Sequence, residues 1–118
     1  MKIVYASRTG NVEKMMSAFN EDKVKIVNGE EQVNEDFVLF TYTDGAGIVP
    51  AVVEKFLEGN HGHLKAVVAS GNSQRHAATF CFAGDKIAEK YHVECLAKVE
   101  GAGSEAEIAA IKEKMAAL

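Results

Sequence analysis

The chain has no tryptophan, one proline and two cysteines, and its apolar runs extend only a few residues. Runs that short exclude a membrane-spanning helix, and no secretory signal peptide is expected. Cys81 and Cys95 lack the CxxC spacing of metal or redox sites. They read as reduced, buried thiols with no metal or disulfide role, which suits a cytoplasmic protein. No basic stripe occurs anywhere, and the 13 Lys and Arg are outnumbered by 17 Asp and Glu, for a net charge of −4. This argues against a nucleic-acid partner. Two nucleotide signatures are also missing. No glycine is followed by Lys-Ser/Thr, which rules out a triphosphate-binding P-loop, and the first strand is not followed by GxGxxG, which argues against a dinucleotide fold.

What is present is alternation. A chain of 118 residues, 47% hydrophobic, is read as one domain, 1–118, around a single core. Lys2–Ala6 is a short β-rich run, followed by a helical pattern from Asn11 to Phe19 with Val12, Met15, Met16 and Phe19 at three- and four-residue spacing. Lys23–Val27 alternates as an edge strand does, whereas Phe37–Tyr42 and Leu64–Ser70 read as strands buried on both faces. The single proline, Pro50, opens a helix that Gly59 stops. A further helix is expected from Ala77 to Tyr91, then a strand over Val93–Val99. The last helix begins at Ser104, where Glu107 completes a capping box.

Five strands alternating with helices predict an α/β fold with a parallel sheet. The nine residues 28–36 between the second and third strands are too few for a crossover helix. They are read as a loop, leaving about four helices, with Glu30, Glu31, Glu35 and Asp36 as a solvated acidic rim.

Open parallel sheets bind ligands beyond the carboxyl ends of their strands. The loops there, "SRTGN", "TDGAGIV" and "SGNSQRH", are built from Ser, Thr, Asn and Gly. The loops at the opposite end share no such chemistry, and His61 and His63, which lie there, read as surface residues. Glycines let backbone N–H groups turn toward an anion, and hydroxyls at Ser7 and Thr9 can donate to it. With no lysine in the first loop, the pattern suits a single terminal phosphate, as on a mononucleotide. The glycines at 101 and 103 after the last strand are read as helix capping rather than as a cofactor loop.

"SRTGNV" looks like the phosphate loop of flavodoxin-like proteins. With "FTYTDGAGIVP", "VASGN", "AGDKIAEKY" and "VEGAGS" in order, nearly the whole chain resembles the NrdI family, small FMN proteins that serve class Ib ribonucleotide reductases. The resemblance implies a flavodoxin-like three-layer sandwich with strand order 2-1-3-4-5 and a bound FMN. In the family, electrons from the reduced flavin pass to O2, and superoxide travels to the radical-bearing small subunit. An unidentified reductant feeds the flavin.

Ser7, Thr9, Gly10, Asn11 and Val12 would hold the phosphate. Thr43, Asp44, Gly45, Ala46 and Gly47 would line the ring, with a backbone carbonyl of Gly45 or Gly47 serving the reduced ring. Ser70, Gly71 and Asn72 would touch its pyrimidine side. Arg8, Thr41, Tyr42, His76 and Phe80 complete the implied set, although Tyr42 and Phe80 read first as core residues. Asp44 is either a loop cap or a charge that repels the flavin anion.

The loop at Ser73–Phe80 departs from the family, with Arg75 and His76 where an aromatic residue is expected. A cation there would favour an anionic flavin and steer superoxide or an acidic partner. The absence of tryptophan removes the aromatic sandwich of many electron-carrier flavodoxins. A general electron carrier of flavodoxin type is the alternative reading. A phosphorylated receiver domain, with Asp44, Ser70 and Lys98 in its key places, fails because Ala6 and Ser7 stand where it needs an acidic pair.

Overall fold

The computed structural model describes residues 1–44, 47–74 and 77–118. The strands are β1 (Lys2–Tyr5), β2 (Lys23–Lys25), β3 (Phe37–Tyr42), β4 (Leu64–Gly71) and β5 (Glu94–Glu100). The helices are α1 (Asn11–Met16), α2 (Ala51–Asn60), α3 (Phe82–Tyr91) and α4 (Glu105–Ala116). The strands form one parallel sheet in the order β2-β1-β3-β4-β5, as the flavodoxin-like expectation required.

Successive side chains of a strand point to opposite faces, so a strand covered on both sides must be apolar throughout. β3 is the clearest case. Val38 and Phe40 join the layer formed with Val12, Met15, Phe19, Ile111 and Met115. Phe37 and Leu39 join the opposite layer with Val53, Phe56, Leu57, Ala83 and Ile87. Edge-to-face ring pairs fix each side, Phe19 on Phe40 at 5.2 Å and Phe37 on Phe56 at 5.7 Å.

β1, β4 and β5 fall within one residue of their expected bounds, and the larger departures from the sequence expectation are in α1, α3 and β2. α1 stops at Met16 because the next turn tightens to i→i−3 bonding, from Ser17, Ala18 and Phe19 to Lys14, Met15 and Met16. The Ser17 hydroxyl also donates to the Lys14 carbonyl. The expected helix over 77–91 is broken into a 3₁₀ turn, Ala77–Thr79, and α3. Cys81 at the break takes a left-handed backbone (φ 56°), and its buried thiol donates to the Ala69 carbonyl. Docking of that thiol on β4 overrides the helical pattern of the sequence. β2 ends at Lys25, and Val27 turns outward.

The 28–36 segment contains no helix, as expected, and Glu30, Glu35 and Asp36 are exposed as the rim reading required, whereas Glu31 is half-buried and turned onto the backbone. The Glu31 carboxylate accepts N–H bonds from Val27 (2.8 Å), Asn28 (3.2 Å) and Gly29 (3.0 Å). Glu35 pairs with Lys2, Glu30 with Lys55, and Asp36 with His63 and Lys65. The segment is clamped to α2 by buried Asn60, which accepts from the Val33 N–H at 2.9 Å and donates to the carbonyls of Glu31 and Phe56.

Burial alone would raise the Glu31 pKa, but the backbone N–H bonds it accepts outweigh that and hold it below the ordinary value. A depressed native pKa gives stability that is present above the unfolded carboxylate range and lost as pH falls through the native value. Glu31→Gln is therefore expected to lower the melting temperature at neutral pH, with the difference closing in acid; a pH-independent difference would contradict this.

Asn60→Ala strands the Val33 N–H and should cost about 1–3 kcal/mol in urea denaturation, and a cost near zero would show that the clamp is dispensable.

Candidate functional site

The carboxyl ends of β1, β3 and β4 meet at a cleft of about 170 Å³. Its lining comes from all three loops: Ser7, Arg8, Thr9, Asn11 and Val12 from the first, Tyr42 and Thr43 from the second, and Ser70, Gly71 and Asn72 from the third. The strand order puts β2 and β3 on opposite sides of β1, so the cleft lies at the topological switch point of the sheet.

The first wall is built around a glycine. Gly10 has φ 94°, and a Cβ there would meet open space, so the requirement is for the left-handed backbone. Its carbonyl accepts the first helical bond, from the Lys14 N–H at 2.9 Å. The Ser7 hydroxyl oxygen accepts the Glu13 N–H at 3.1 Å, which leaves its own proton for donation into the cleft. Behind this wall, the Tyr5 hydroxyl donates to Glu13 at 2.7 Å, and Lys25 pairs with the same carboxylate. Burial and then the Glu13 carboxylate push the Tyr5 pKa up to about 12.

The second wall carries the unusual groups. The Thr43 hydroxyl is buried and has no hydrogen-bond partner, alone in this respect among the described side chains. Unmatched buried hydroxyls are costly, so one on a residue that lines a cleft points to a missing ligand group. Asp44 closes a turn on Ile48, its N–H donating to the Ile48 carbonyl at 2.9 Å and its carbonyl accepting at 2.7 Å. Gly47 has φ 88°, and a Cβ there would lie 2.8 Å from the Cβ of Phe82. The start of α3 alone thus accounts for glycine at 47. Gly45 and Ala46 lie outside the described residues, as do Arg75 and His76.

The third wall leans on β5. The Ser70 hydroxyl donates to the Gly101 carbonyl at 2.5 Å, and the Gly101 N–H returns a bond to Gly71 at 3.1 Å. Ser70 therefore lines the cleft with its proton already committed. Glu100 accepts from the N–H and hydroxyl of Ser73 and so pins the turn after Asn72.

Glu100 and Gly101 were missed as site-supporting residues. The usable signal was the parallel register that sets Glu100 beside Gly71. Thr41 is fully buried and its hydroxyl donates to the Tyr42 carbonyl, so it lies behind the cleft rather than in its lining. Phe80 is half-buried and also stands outside the lining. Tyr42 is half-buried but lines the cleft, and the Arg8 guanidinium sits 5.3 Å above its ring. Burial, then the Asp44 charge, raises the Tyr42 pKa, and Arg8 opposes them. The two thiols are free, Cys81 buried and Cys95 half-buried, and no described helix is long and apolar enough to cross a membrane.

Fold and cleft together define the class of flavodoxin-like proteins. Two solved structures share the architecture. Oxidised flavodoxin 1 from Bacillus cereus is 17% identical with a TM-score of 0.66, over 98% of this chain and 93% of that one. A short-chain flavodoxin associated with a non-canonical PDU bacterial microcompartment is 18% identical with a TM-score of 0.62, over 95% and 90%. The family described as NrdI flavodoxin-like matches residues 3–113, and the chain belongs to that family.

The orphan hydroxyl gives a prediction of opposite signs. Thr43→Val should leave the ligand-free protein as stable or more stable by up to about 1 kcal/mol, while weakening flavin binding, tested with FMN, several-fold in a fluorescence titration. Lower apoprotein stability with unchanged FMN affinity would assign the hydroxyl a structural role.

Proposed function

We propose that the cleft binds FMN and that the protein supplies superoxide for assembly of the radical cofactor in the small subunit of ribonucleotide reductase. The observation that carries the flavin reading is the unpartnered Thr43 hydroxyl, set among three loops of small polar residues at the switch point. Family membership supports the partner and the use of O2. When bound, FMN supplies the redox chemistry, accepting electrons from a reductant and delivering them to O2.

The remaining work falls to the chain. The hydroxyls of Ser7 and Thr9 and the amides from Gly10 to Val12 hold the phosphate. Hydroxyls and amides suffice for a lone phosphate because each charge-assisted bond is roughly twice as strong as a neutral one. Thr43 to Gly47 and Gly71 to Asn72 border the ring. The fit is chemical, since the lining offers donors to an anion and the neighbouring Asp44 carboxylate is tied to Arg8. With such a partner, the protein would act in the cytoplasm as an oxidant supplier rather than as a metabolic enzyme on its own.

The test is to purify the protein, reconstitute it with FMN, photoreduce it without oxygen and then admit O2 in the presence of cytochrome c. A flavin spectrum, with cytochrome c reduction that superoxide dismutase suppresses, is expected. Failure to retain FMN would overturn the reading at its base. Retention with reoxidation that yields no superoxide would favour a flavodoxin-type electron carrier instead.

A further inference from the structure

Arg8 lines the cleft from the first loop, and Asp44 follows the lining residue Thr43 in the second; the two are 36 positions apart in sequence, yet Arg8 Nη1 lies 2.5 Å from Asp44 Oδ1. Arg8 is the single cationic side chain among the described residues lining the cleft. Its guanidinium also lies over the ring of Tyr42. The contact therefore joins the loop after β1 to the loop after β3 beside the cleft.

The two partners are not equally fixed. Asp44 is held by its own backbone, which bonds Ile48 in both directions and accepts the Gly47 N–H at 3.1 Å. Arg8 is the long side chain, 57% exposed against 37% for Asp44. An ion pair that exposed is worth little and exchanges readily. A phosphate carries more charge than a carboxylate and accepts the guanidinium fork in two parallel bonds.

We propose that the Arg8–Asp44 pair is a strap beside the cleft, and that Arg8 is shared between Asp44 and the phosphate of the incoming flavin. Asp44 then limits affinity by competing for the charge that the phosphate needs. Arg8 becomes the residue that separates FMN from riboflavin, which has the same ring and no phosphate. This rests on the flavin reading above, and it gives Asp44 both roles, since its backbone closes a turn while its carboxylate opposes the ligand through Arg8.

Fluorescence titration of the apoprotein with FMN and with riboflavin tests it, using wild type, Asp44→Asn, Arg8→Gln and the double variant. Asp44→Asn is expected to tighten FMN about two- to five-fold, the range that an exposed pair allows. Arg8→Gln is expected to weaken FMN several-fold, to leave riboflavin within about two-fold and to abolish the effect of Asp44→Asn. Asp44→Ser, which removes the charge with a different side chain, should repeat the tightening. Weaker FMN binding in both Asp44 variants, or an equal shift with and without Arg8, would show a static brace and overturn the strap. If wild type binds FMN and only these variants disagree, the strap alone falls; if wild type binds neither flavin, both readings fall.

Discussion

Burial of β3 on both faces is the constraint from which the site follows. An apolar strand with helices above and below can sit only inside the sheet, and its neighbours are then fixed as β1 and β4. Side-chain direction alternates along a strand, so a slip of one residue would exchange the two layers. Phe40 would leave Phe19, and Phe37 would leave Phe56. Because that slip is forbidden, the loops after β1, β3 and β4 end at one edge and at one height. The core thus sets the spacing of the three polar loops.

Those loops divide the work of recognition. The first offers donors, with a left-handed glycine turning the chain and a serine bonded so that its proton stays free. The second holds a buried hydroxyl without a partner and a carboxylate tied to Arg8 of the first. The third is propped by β5, where Gly101 and Glu100 hold Ser70 and Ser73. Charge inside the cleft is close to balanced, since its single described cation is already paired. An anionic ligand therefore meets hydroxyls, amides and one exchangeable guanidinium rather than a fixed positive field.

Much of this was readable from the residues. Alternation of apolar runs with helical spacing gave the parallel sheet, and Ser104 with Glu107 gave the start of α4, where both capping-box bonds are present. The clustering of Ser, Thr, Asn and Gly in three loops located the cleft. Effects carried by tertiary contacts were not readable. The break before α3 comes from a cysteine docking on β4, and no local pattern announces it. Glu31 looked like one more surface acid because its role depends on three N–H groups that converge only after the chain turns. Arg8 and Asp44 were each legible as site residues, but a pairing across 36 positions was not.

The central claim is that one edge of the sheet forms a single mononucleotide site. Titration of FMN into uniformly ¹⁵N-labelled apoprotein, followed by amide chemical shifts, tests it most directly. Shifts are expected to concentrate at the amides of residues 7–12, 43–47 and 70–73, in fast or slow exchange together and with one stoichiometry. Shifts confined to the opposite edge, around Glu21, Glu35 and His63, or no saturable shifts at all, would contradict it.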